Sequence, residues 1–182
     1  MCTKVAILAE KEELQDCFSD YTTLTDFEPI NEGLPLQKYP IFTENGFKQL
    51  VWGEKKEKLI IHKSKNELDF DNTVRGVLAV TGFYILKKEK APAPIGFGDH
   101  KETVKITPYF VKRKDDGLIL LQVAIDEGDN SFLIVMQKSS DFIENYQDKE
   151  PIVISNTEDW FKQLNIEDSP ISDNDFEIPL IN

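Results

Sequence analysis

The stretch Arg75–Lys88 reads RGVLAVTGFYILKK, and its reading decides the class of fold. Its Val, Leu, Phe, Tyr and Ile residues mark a long β-rich run. Gly82 near its centre marks a bulge or a close approach of other backbone. Shorter strand-like runs flank it on both sides. Toward the N-terminus lie KLIIHKS (58–64), IFTENGFKQLVWG (41–53) with the hairpin signal Asn45-Gly46, and KVAILA (4–9). Toward the C-terminus lie TVKITPYFVKR (103–113) and LILLQVAI (118–125), joined by KDDG, whose Asp-Gly favours a tight turn. SFLIVMQKS (131–139) and PIVIS (151–155) complete the strands.

Helical signals are few. In EKEELQDCFSDY (10–21), Leu14, Cys17, Phe18 and Tyr21 fall on one face, so Cys17 is expected in the core. SDFIENY (140–146) reads as a short helix capped by Ser139 or Ser140, and Ser155 with Glu158 has capping-box spacing before another. FEPINEGLPLQKYP (27–40) and EKAPAPIGFGDHKE (89–102) read as Pro/Gly loops. The sum is an α+β fold: a mainly antiparallel twisted sheet, or a partly open β-barrel, with a few short helices. One domain is expected over residues 1–165, followed by an acidic tail over 166–182, solvated and loosely held except where FEIPLIN returns to the sheet edge.

At 182 residues, 40% hydrophobic and 30% charged, the chain has a globular composition. Its apolar runs fall far short of the ~20 residues that span a bilayer, and no secretory signal opens it. Cys2 and Cys17 form no disulfide framework, so a reducing, cytoplasmic setting is expected. The net charge of −12 argues against a general nucleic-acid binder, yet the charge is uneven. Residues 52–114 hold fourteen Lys and Arg against eight Asp and Glu, a basic centre between acidic ends.

The chemistry available is narrow. No C-x-x-C or H-x-x-x-H pairing predicts a metal site, and no phosphate loop or G-x-S-x-G elbow occurs. No cofactor is expected. A Cys/His dyad of Cys2 with His62 or His100 is one possibility, and two ordinary histidines are the other. Cys2 itself follows the initiator methionine. Removal of Met1 would leave a 1,2-aminothiol, with an amine pKa near ~8 and a thiol near ~8.5. Such a pair condenses with an aldehyde to an imine, which the thiol closes to a thiazolidine. The alternative is a small residue at the start of a strand.

The order of short motifs resembles the SRAP family, the SOS-response-associated peptidases that sense abasic sites in single-stranded DNA. Family members start Met-Cys-Gly-Arg, against Met1-Cys2-Thr3-Lys4 here. Trp-Gly-Leu-X-Pro is matched by Trp52-Gly53-Glu54-Lys55-Lys56, and Gly-Phe-Tyr-Glu-Trp by Gly82-Phe83-Tyr84-Ile85-Leu86. Pro-Tyr-Phe-Ile corresponds to Pro108-Tyr109-Phe110-Val111, and the Thr-Phe-x-Ile-Leu-Thr strand to Ser131-Phe132-Leu133-Ile134-Val135. His-x-Arg-Met-Pro-Val-Ile-Leu corresponds to the run Gln147 to Ile154, and the helix Trp to Trp160.

The resemblance implies an N-terminal nucleophile at Cys2 that crosslinks to abasic single-stranded DNA. It implies DNA contacts at Lys4, Trp52, Lys55 and Lys56, with Trp52 either a stacking face or a core residue. His62 or Asn66 would take the family asparagine's place. The family glutamate falls at Ile85 and its histidine at Gln147, so neither acid–base helper is retained. Lys4 in place of Arg keeps the charge and loses the bidentate fork. The expected outcome is weakened crosslinking, or a degenerate member that keeps the fold as a binding or regulatory module.

Overall fold

The computed structural model describes residues 2–18, 24, 27–68, 73–90, 104–154 and 171–179. Fifteen short strands and two helices appear among them. In chain order the first strands are β1 (Lys4–Ile7), β2 (Ile30–Gly33), β3 (Lys38–Thr43), β4 (Gly46–Trp52) and β5 (Glu54–Lys55). β6 (Leu59–Ile60), β7 (His62–Ser64), β8 (Val74–Val80), β9 (Gly82–Lys90) and β10 (Val104–Arg113) follow. β11 (Ile119–Asp126), β12 (Ser131–Lys138), β13 (Lys149–Pro151), β14 (Val153–Ile154) and β15 (Phe176–Glu177) complete the set. The helices are α1 (Lys11–Cys17) and α2 (Asp141–Glu144). None is long and apolar enough to cross a membrane.

The run Arg75–Lys88 serves two sheets. β8 lies inside an eight-stranded sheet and β9 inside a five-stranded one. Thr81 separates them: its N–H donates to Ala6 O at 2.8 Å and its Oγ1 accepts from Leu8 N at 2.7 Å. The expected close approach at Gly82 is present. A Cβ there would meet the Phe110 ring at 2.2 Å and the Val111 carbonyl at 2.7 Å. Only glycine leaves that room.

The five-stranded sheet runs β15-β10-β9-β1-β2. In the larger sheet, β12, β4, β3, β8 and β11 follow in order, and β11 pairs with β12 again, so five strands close a ring. Two seams are thin. β3 meets β8 at the single pair Phe42↔Val77, and β4 meets β12 in parallel at two pairs. This is the partly open barrel, with mostly antiparallel pairing. Its interior is aromatic. Tyr39 makes edge contacts with Trp52 and Phe132, each at 6.0 Å.

Three local expectations are corrected. Residues 27–40 contain β2 and the start of β3, although they hold three prolines. Pro40 is tolerated because it pairs with β4 on one side, while β3 pairs with β8 only at Phe42. Cys17 is exposed rather than core. α1 ends at Cys17, and Phe18 leaves helical geometry at φ −133° to stack on Phe42 at 3.6 Å. The short helix therefore buries Leu14 alone and turns Cys17 outward. Ahead of FEIPLIN the tail is held more firmly than expected, since Ile171 enters the core; Phe176 and β15 return to the sheet edge beside β10, as expected. Fully buried Glu150 accepts the Ile171 N–H at 3.3 Å and both the N–H and hydroxyl of Ser140, so that hydroxyl serves Glu150 rather than capping α2. Tyr21, the 91–102 part of the second loop with His100, and the helix expected around Trp160 lie outside the described residues.

Candidate functional site

Strand pairing assembles the site. β1 lies antiparallel to β9 with Lys4 opposite Tyr84, and Thr3 N–H donates to Tyr84 O at 3.3 Å. Cys2 is thereby fixed just ahead of β1. β12 pairs first with the end of β4 and then with β7, so that Ile134 sits opposite His62. The intervening chain makes the small β5–β6 hairpin and returns. His62 is carried back to the N-terminal end of β1, where its Nε2 bonds the carbonyl of Cys2. A carbonyl only accepts, so the ring holds its proton on Nε2 in this contact.

The two partners have opposite electrostatic fates. Cys2 is completely buried, and burial pushes its thiol from the ordinary 9.0 up to about 12. The thiol donates weakly to Lys4 O at 3.7 Å. Burial lowers His62 from 6.5 to about 4, so the imidazole is neutral at pH 7. Tyr39, whose hydroxyl donates to Leu34 O at 2.8 Å, is raised by burial and by its proximity to Cys2.

His62 lines a cleft of about 700 Å³ together with Ser64, Leu86, Lys88, Tyr146 and Gln147. That volume is in the range of small-molecule sites. The wall also carries Glu67, Glu144 and Asp148 against Lys149 and Lys88, so the mouth is polar without being basic. Gln147 donates through Nε2 to Lys149 O at 2.5 Å, and its buried Oε1 has no partner. No group of three or more metal-ligating side chains occurs among the described residues.

The residues singled out in the sequence divide into two sets. His62 and Gln147 line one cleft, His62 bonds the carbonyl of buried Cys2, and Ile85 lies buried on β9, one residue from the Tyr84 that bonds Thr3. The others do not join them. Trp52 is fully buried and donates its Nε1–H to Ile61 O at 3.0 Å, so it offers no stacking face. Of its two expected roles, the core one is what the structure shows. Lys55 is exposed on the β5–β6 hairpin, and Lys56 beside it is paired with Glu54 at 2.7 Å. Lys4 pairs with Glu32 at 3.5 Å and lies 5.9 Å from the Tyr84 ring centre. Asn66 is exposed in the turn Lys65–Glu67 and does not line the cleft, so His62 is the residue that meets Cys2. Sequence reasoning missed Tyr39, which lay in the presumed loop, and Lys88 and Tyr146, which carry no motif.

No family profile matches the chain, and no curated protein matches it. Solved structures do. A protein from Bordetella bronchiseptica aligns over the whole of both chains with a TM-score of 0.71 at 10% identity. A protein from Bacteroides thetaiotaomicron gives 0.67 at 14% identity, over 100% of this chain and 92% of that one. A phage-related protein from B. bronchiseptica gives 0.57 at 16% identity, over 84% of this chain and 77% of its own. The chain has the same fold as these proteins.

Proposed function

We propose that the protein engages abasic sites in single-stranded DNA in the SRAP manner, with Cys2 as a slow nucleophile. The observation that carries the reading is the contact of His62, which shares a cleft wall with Gln147, with the carbonyl of buried Cys2. Their spacing of 60 residues between Cys2 and His62 gives no local reason to meet. A ring-opened abasic sugar presents a neutral aldehyde, which suits a polar wall of mixed charge better than a phosphate would. Once Met1 is removed, the Cys2 amine adds to the aldehyde carbon and water leaves, giving an imine. The thiol sulfur then adds to the imine carbon while the thiol proton passes to nitrogen, closing the thiazolidine. One water is lost overall.

The rate is expected to be low. Ile85 carries no proton, and Gln147 hydrogen-bonds without exchanging one near pH 7. General acid–base help is worth ~10²–10⁴-fold, and neither position supplies it. The cytoplasmic setting belongs to the same proposal.

The complete burial of the Cys2 thiol favours a second reading, in which the fold serves as a binding or regulatory module without crosslinking. One experiment separates them. The protein, with Met1 removal verified by intact mass, is incubated with single-stranded DNA carrying one abasic site. A heat-stable adduct that is lost in Cys2→Ala and lost when the amine is blocked by an N-terminal extension supports the first reading. No adduct after prolonged incubation leaves the second.

A further inference from the structure

The two walls of the cleft belong to different sheets. His62 and Ser64 of β7, with residues 144–149 leading into β13, line it from the eight-stranded sheet. Leu86 and Lys88 line it from β9 of the five-stranded sheet. Residues 144–149 alone supply half of the lining, so whatever holds that run in place shapes the cleft.

Glu150 holds it. Its carboxylate is fully buried and accepts four hydrogen bonds. The donors are Gln137 Nε2 at 3.3 Å, the Ser140 N–H at 3.1 Å, the Ser140 hydroxyl at 2.7 Å and the Ile171 N–H at 3.3 Å. Four donors match the acceptor capacity of one carboxylate. Ser140 precedes α2 and Glu150 follows the wall, so one side chain closes the loop between them. Ser139 reinforces the base of that loop, donating its hydroxyl to Gln147 O at 2.7 Å. The fourth bond carries the closure out of the loop to the tail. The SRAP motif His-x-Arg-Met-Pro has Met where this chain has Glu150.

Residues 171–177 reach both sheets. Ile171 is fully buried at the Glu150 end. At the other end Phe176 and Glu177 pair with Arg113 and Lys112 of β10, the strand beside β9. The Lys114 N–H donates to Asp175 O at 3.0 Å, its ammonium donates to Asp173 O, and Lys112 Nζ lies 3.2 Å from Glu177. The segment therefore joins the sheet of one wall to the sheet of the other.

We propose that residues 171–177 are a strap that ties the two walls, with Glu150 as its catch. Its seating sets access through the cleft to His62 and to Cys2 behind it. The strap stands on these contacts; its effect on adduct formation rests on the abasic-DNA reading.

The test follows amide hydrogen exchange in residues 141–149, with 119–126 of β11 as reference, and labelling of the Cys2 thiol in a Cys17→Ser background. Glu150→Gln turns an N–H toward donors that now meet oxygen. It is expected to speed both readouts about tenfold to a hundredfold, with exchange in 119–126 unchanged. Lys112→Glu sets a third carboxylate beside Asp116 and Glu177 at the far end of the strap, and is expected to speed both about twofold to fivefold. Lys48→Ala, on a cation paired with Glu127, is expected to match the parent. If Glu150→Gln fails to fold, Ser140→Ala takes its place by removing the 2.7 Å hydroxyl bond. No change in either readout, a change confined to one end of the strap, or an equal rise in 119–126 or in Lys48→Ala overturns the proposal. Abasic adducts are read separately. Their absence from every variant, with the exchange result intact, removes the DNA reading and leaves the strap. An adduct with unchanged exchange leaves the Cys2 chemistry and removes the strap.

Discussion

The two cysteines lie fifteen residues apart and have exchanged the environments that sequence pattern assigns them. Cys17, at a helical core position, is exposed; Cys2, the residue expected to react, is fully buried. The difference teaches that burial follows tertiary partners rather than periodicity or chain position. α1 is too short to turn Cys17 inward, because Phe18 abandons the helix to stack on Phe42. Cys2 is sealed by residues distant in sequence: Tyr39 near its thiol, His62 on its carbonyl, and Tyr84 bonded to its neighbour Thr3.

Thiol labelling is the largest test of this contrast. In the native protein at pH 8, Cys17 is expected to react with a disulfide reagent on the order of a hundredfold or more faster than Cys2, because a thiol raised to about 12 holds almost no thiolate. Both should react in denaturant. Fast native labelling of two thiols breaks the contrast.

Stability against pH tests the pair around Cys2. His62 has a folded pKa of about 4, below its ordinary 6.5, so the unfolded chain binds more protons in that window. Its contribution is complete above about 6.5 and is lost as pH falls toward 4, on the order of 3 kcal/mol. Cys2 acts at the other end. Its folded value of about 12 exceeds 9.0, so its contribution is complete below 9 and is lost as pH rises toward 12. Urea midpoints measured across pH should show the acid slope shrink in His62→Gln and the alkaline slope shrink in Cys2→Ala. Unchanged slopes contradict the assignment.

A smaller effect sharpens the same comparison. Cys2→Ala is expected to cost about 1–2 kcal/mol, as a buried side chain in a full core. Cys17→Ala should stay within about 0.5 kcal/mol. Equal costs in denaturant unfolding argue against the burial difference.

Much of the fold was legible in the sequence, and for a physical reason. Strand runs such as SFLIVMQKS and LILLQVAI are buried on both sides and bounded by turn residues, so composition alone marks them. The ring closure was not legible, since it rests on the β11–β12 and β4–β12 seams, which are contacts between runs rather than features of any one. β3 was hidden by Pro40, which is harmless only because that stretch of the strand has no second pairing partner. In the site, Cys2 stood out through the chemistry of its position and Gln147 through motif order. The choice between His62 and Asn66 needed the register of β7 on β12. Lys88 and Tyr146 were invisible, because surface lysines and tyrosines carry no local signal until a cleft forms around them.

The central claim is the proposed one, that Cys2 is a nucleophile with no acid–base help from positions 85 and 147. The most direct measurement is the time course of adduct formation with abasic single-stranded DNA in the parent, Cys17→Ser, Cys2→Ala and Gln147→His. The account predicts a slow adduct in the parent, the same rate in Cys17→Ser and none in Cys2→Ala. It predicts a rate about tenfold to a hundredfold higher in Gln147→His, where an imidazole restores proton exchange at the cleft wall. An adduct of equal yield in Cys2→Ala, or a Gln147→His rate no faster than the parent's, contradicts it.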